Sequence, residues 1–194
     1  MIDPQPWRRA RTRTATSAAI ALVCLGGLTA CSTGDAASDA APSASSGADA
    51  SPAGKAVQAG LDKHVKGDLD GAGDDYRTAL EDDPENAVAL YNLGLIAQTR
   101  GEDAEAEERY RSVLRSSPDY QPAVFNLAIL SKADGDTAEA EQLYRRAIQL
   151  RPGDAGAHLN LGLLLRETSR QTEGDAQVAT ALELNPEFVD PAAE

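Results

Sequence analysis

The chain has 194 residues, 25% of them charged and only 4% aromatic, with a formal net charge of −13. That acidity excludes nucleic acid and anionic membrane surfaces as electrostatic partners, since both would be repelled. Both cysteines, Cys24 and Cys31, lie in the N-terminal segment, so the remainder holds neither a disulfide framework nor a thiolate metal site.

Residues 8–13 read RRARTR and precede an apolar run from Ala18 to Ala30. A basic stretch followed by a short apolar one is the layout of a secretory signal peptide. A membrane span would need about 20 apolar residues. The run ends in Leu28-Thr29-Ala30-Cys31, which resembles the lipobox of bacterial lipoproteins. The resemblance implies that residues 1–30 are removed and that Cys31 carries a diacylglyceryl group. Two acyl chains hold a protein durably where one holds it only marginally. The expected location is therefore extracytoplasmic and lipid-anchored to the cell membrane, or to the outer membrane in a Gram-negative host. Cleavage removes Arg8, Arg9, Arg11, Arg13 and Asp3, leaving 14 basic against 30 acidic side chains, a net −16.

From Ser32 to Pro52 no apolar residue exceeds alanine in size, so nothing there offsets the entropy of ordering the backbone. Residues 31–52 are predicted to be the lipidated cysteine and a disordered linker. As a flexible coil this linker would reach about 25 Å on average, and roughly 70 Å if extended.

Beyond it, Pro84, Pro118, Pro152 and Pro186 stand 34 residues apart. A constant period of this length marks a small unit copied along the chain. Placing each proline at position 32 gives units 53–86, 87–120, 121–154 and 155–188, followed by a tail, 189–194. Each unit reads as two amphipathic helices, A and B, joined at Gly67, Gly101, Gly135 or Ser169. Small residues at positions 8 and 20, such as Gly94 with Ala106, allow close approach, and Tyr76, Tyr110 and Tyr144 supply bulk. Proline ends helix B and begins the next connection.

Leu90, Leu93, Gly94, Ala97, Ala106, Tyr110 and Pro118, with Val124, Leu127, Ala128, Ala140, Tyr144 and Pro152, are similar to the tetratricopeptide-repeat consensus. The first unit is degenerate at its front. In the fourth, Gly174 and Val178 stand where alanine and an aromatic are usual, and a glycine there costs a helix about 1 kcal/mol. The resemblance implies an all-α fold, an α-solenoid of four helix–turn–helix repeats forming a short right-handed superhelix. Such arrays bind partners rather than catalyse. The family also includes lipoproteins that assist type IV pilus assembly.

The resemblance places the binding surface on the concave A-helix face. Its apolar positions include Tyr91, Leu95, Phe125, Ile129 and Leu163; Asn92, Asn126 and Asn160 form a carboxamide column; Lys132 and Arg166 add cations. Carboxamides donate and accept at once, which suits the backbone of an extended peptide. The expected partner is an envelope protein or peptide, with the membrane engaged only through Cys31. Repeat 4 offers an uncapped face, so homo-oligomerisation through it is the alternative. His64 and His158 are the only histidines; His158 falls in a core slot, and neither has the spacing of a metal or catalytic set. No catalytic residue, metal or cofactor is expected.

Overall fold

The protein is described by a computed structural model over residues 51–190. The signal peptide, Cys31 and nearly all of the linker therefore lie outside the described residues. Within them eight helices follow in order: α1 (Pro52–Val65), α2 (Leu69–Asp82), α3 (Ala87–Thr99), α4 (Asp103–Ser116), α5 (Gln121–Asp134), α6 (Thr137–Leu150), α7 (Ala155–Glu167) and α8 (Gln171–Leu184). They pair as four hairpins, and the second helix of each hairpin also packs on the first helix of the next. This is the expected all-α repeat array. None of these helices is long and apolar enough to cross a membrane.

Local chemistry sets the helix ends. Ser51, Asn86 and Asp154 cap α1, α3 and α7, each side chain accepting from a backbone N–H three residues on. Such caps satisfy donors that the first turn leaves unpaired. Each A helix closes identically. The N–H groups of Asp68, Glu102, Asp136 and Arg170 donate to the carbonyls of Lys63, Ala97, Ser131 and Leu165 at 2.9–3.0 Å. The residue before each donor is left-handed, with φ of 82° at Gly67, 74° at Gly101, 85° at Gly135 and 63° at Ser169. The fourth hairpin thus makes the same turn without glycine, at the steric cost a β-carbon carries there.

The core is a row of interlocking clusters. Ala72, Tyr76 and Ala79 of α2 meet Ala89, Leu93 and Ile96 of α3. Ala106, Tyr110 and Val113 of α4 sit between Leu90 and Ala97 of α3 and Ala123, Leu127 and Leu130 of α5. Ala140 and Tyr144 of α6 meet Ala128 of α5 and Leu161, Leu164 and Leu165 of α7. Tyr76, Tyr110 and Tyr144 are fully buried.

The fourth hairpin packs differently. A β-carbon at Gly174 would lie 2.7 Å from the Gly162 carbonyl oxygen and 3.0 Å from the Arg166 backbone nitrogen. With Val178 in place of tyrosine, α7 and α8 approach backbone to backbone, and Gly174 is what admits that approach. The glycine expected as a defect is a packing requirement. His158 is buried as expected, with Nε2 3.0 Å from the Pro152 carbonyl and Nδ1 2.8 Å from the Gln177 side chain.

Candidate functional site

Helices α3, α5 and α7 present their partly exposed sides in series, and the centre of this face is aromatic. Tyr91 of α3 is half-buried between Tyr110, at 5.8 Å between ring centroids, and Tyr120, at 5.3 Å. Tilted rings at these separations attract one another beyond the area they bury. Asn126 of α5 donates through Nδ2 to the Tyr91 hydroxyl at 3.1 Å, joining consecutive repeats. Burial pushes the Tyr91 and Tyr120 hydroxyls above their ordinary range. Phe125 packs edge-on against Tyr144 at 6.0 Å and lies beside Gly156 of α7.

The three carboxamides do not act alike. Asn92 is buried, and its Nδ2 donates to the Val88 carbonyl one turn back at 2.8 Å. Asn160 does the same to Gly156 at 2.9 Å. Asn126 instead reaches out to Tyr91. Leu95 and Ile129 pack partly into the core clusters, and Leu163 is half-buried on α7.

The cations on this face already have partners. Lys132 donates to Glu167 of the next A helix at 2.8 Å. Arg166 holds Asp175 through Nε at 2.7 Å, and Asp190 through both terminal nitrogens at 2.6 and 2.9 Å. At the position equivalent to Lys132 and Arg166, Gln98 turns inward and accepts from the Tyr110 hydroxyl at 2.9 Å. His64 also turns inward, lying against Tyr76 at 6.4 Å.

Tyr120 was missed by sequence reasoning. It stands at the N-cap of α5, where the other A helices place Ser51, Asn86 or Asp154, and it makes no capping bond. An aromatic ring in a capping slot was the available signal. In a polar hollow of about 280 Å³ beside Ser131, Asp134 and Asp136, Arg111 pairs with Glu107 at 2.8 Å and Glu139 at 3.1 Å. Among the described residues no group of three or more histidine, cysteine, aspartate or glutamate side chains could hold a metal.

Three repeat profiles match the sequence: a TPR repeat over residues 60–101, and tetratricopeptide repeats over 89–122 and 125–187. The chain is a tetratricopeptide-repeat protein. Proteins of this family are protein-interaction scaffolds rather than enzymes. Among solved structures, that of MamA superposes with a TM-score of 0.63 at 21% identity, covering 72% of this chain and 82% of that one. This is a likeness of fold. PilF of Pseudomonas aeruginosa gives 0.63 at 27% identity, over 71% of this chain and 63% of that one. A tetratricopeptide-repeat protein of Parabacteroides merdae gives 0.62 at 26%, over 71% and 55%. The match thus spans less than two thirds of the length of these last two. No curated protein sequence matches this tetratricopeptide-repeat chain.

Proposed function

We propose that this protein is a membrane-tethered scaffold of the bacterial cell envelope that binds an extended peptide or partner helix on its A-helix face, in secretion, pilus or cell-wall assembly. One observation carries the binding surface. Helix α3 has no charged residue along its thirteen positions, in a chain that is 25% charged, and it leaves Tyr91 half-exposed against Tyr120 and Leu95 half-exposed one turn further on. Apolar surface left in water forgoes about 25 cal/mol per Å², and half-buried aromatic side chains of this kind are frequent anchors of protein interfaces. The lipobox ending in Cys31 supports the tether.

Two measurements test the two halves of this reading. Tyr91→Ala combined with Asn126→Ala should reduce recovery of the bound partner from native membranes at least tenfold, with the helical signal retained. Unchanged recovery would remove the A-helix face from consideration. Cys31→Ser should shift the chain out of the membrane fraction and abolish labelling by radioactive palmitate. A chain that stays with the membrane after that change is not held by a lipid on Cys31.

A further inference from the structure

The last residues described do not trail away from the array. After α8 the chain turns at Asn185, whose carbonyl accepts from Phe188 N–H at 3.1 Å and whose side chain accepts from Glu187 N–H at 3.1 Å. It then runs irregularly through Phe188, Val189 and Asp190. Phe188 and Asp190 are half-buried, while Val189 between them is 77% exposed. This alternation is what an extended peptide shows when one side lies on a surface, because successive side chains point to opposite faces.

Asp190 meets Arg166 in the fork-to-fork geometry that makes guanidinium–carboxylate recognition directional. Arg166 stands one helix turn beyond Leu163 on the same face of α7 and is itself only 14% exposed. Asp175, which Arg166 engages through Nε, also accepts from Gln171 at 3.0 Å. In the repeat before, Lys132 takes its carboxylate from Glu167, 35 residues on and inside the next A helix. Arg166 takes its own from Asp190, 24 residues on and outside any helix. Exchange of the second for an outside carboxylate moves a non-helical segment and none of the eight helices.

We infer that this end of the A-helix face is a docking site for an extended peptide bearing a carboxylate two residues after an aromatic side chain, and that segment 188–190 occupies it as a tethered stand-in. The inference rests on the A-helix face being the binding surface and names one chemical feature of what it binds. It also bears on the net charge of the chain. A protein at −13 disfavours acidic ligands at long range, and a half-buried guanidinium already aimed at a carboxylate is the local feature that overcomes this. A short tether gives the internal segment an effective concentration of about a millimolar, so weak acidic peptides are excluded and stronger ones compete.

The test uses the segment itself as probe. A fluorescent peptide of residues 185–190, blocked at both ends so that its own termini add no charge, is titrated into the full chain. Asp190→Asn should bind it about tenfold more tightly than the unaltered chain, because the internal carboxylate no longer fills the site. Adding Arg166→Gln should cancel that gain, as should a probe with asparagine at its final position. Circular dichroism and sedimentation check that Asp190→Asn remains helical and of unchanged size; should it unfold, Asp190→Glu, with the longer side chain misplaced, is the substitute. Equal binding by the altered and unaltered chains overturns the inference and leaves the segment as a fixed brace. Dimerisation of Asp190→Asn without probe binding overturns it too, and assigns this end to self-association. Loss of partner capture on changing Tyr91 and Asn126 is read separately and does not depend on this result.

Discussion

Gly174→Ala is expected to destabilise the array by about 2 kcal/mol, the opposite of what helix propensity alone gives. In a helix interior alanine is favoured over glycine by about 1 kcal/mol, and the sequence reading counts Gly174 as a cost on that ground. Packing reverses the sign. The added methyl would sit 2.7 Å from the Gly162 carbonyl oxygen and 3.0 Å from the Arg166 nitrogen. Neither is the flexible end of a side chain, so α7 and α8 must separate, and overpacking of this kind costs about 1–3 kcal/mol. Gly73→Ala in α2 is the control, because its new methyl would meet only the Arg77 guanidinium, at 3.4 Å. That variant should gain a few tenths to about 1 kcal/mol. Urea unfolding of both variants beside the unaltered chain decides the matter. If Gly174→Ala proves as stable as the original, the close backbone approach is not what that glycine provides.

Tyr110→Ala carries the other large effect, a loss of about 4 kcal/mol. Its ring is fully buried among α3, α4 and α5, and truncating a buried aromatic costs about 3–5 kcal/mol through lost transfer energy and the cavity left behind. The variant also leaves the Gln98 carbonyl without the hydroxyl it accepts from. Against a total stability of about 5–15 kcal/mol, one such change unfolds a measurable part of the population. Its reach is functional too, since the Tyr91 ring rests on Tyr110. Tyr110→Phe keeps the ring and should lose only about 1 kcal/mol, the net worth of the hydrogen bond. Thermal and urea denaturation of the two variants measure the difference; a cost below 1 kcal/mol for alanine would show that the hairpins do not depend on this residue. Tyr76 is a useful contrast. Burial pushes its hydroxyl up to about 12, yet that hydroxyl has no hydrogen-bond partner among the described residues, so phenylalanine there should be nearly neutral.

Much of the fold was legible in the sequence because the repeat unit is written in sterically decisive residues. Prolines at a constant interval stop the B helices, glycines reverse the chain after three A helices, and small residues permit contact between helices. What was not legible depended on pairs of residues distant in sequence. Gly174 makes sense only against Gly162 and Val178, and no single-position rule contains that relation. The A-helix face was legible as a list and not as a mechanism. Asn92, Asn126 and Asn160 share a repeat position, yet two spend their amide donors on their own helices while the third reaches Tyr91. Such choices are made by side-chain rotation, which periodicity does not encode. Asp190 lay outside the period altogether.

The turns after the A helices carry a consequence for how the repeat can vary. Three use glycine and one uses Ser169 at φ 63°, while all four keep the same backbone bond across the bend. The conformation is therefore imposed by the helices on either side, and the residue at the bend only adjusts how readily the chain accepts it. A position under that kind of control tolerates change in side chain but not in length. Inserting or deleting one residue there would rotate the following helix by about 100° and turn its buried side toward water, whereas exchange of the bend residue leaves every contact in register.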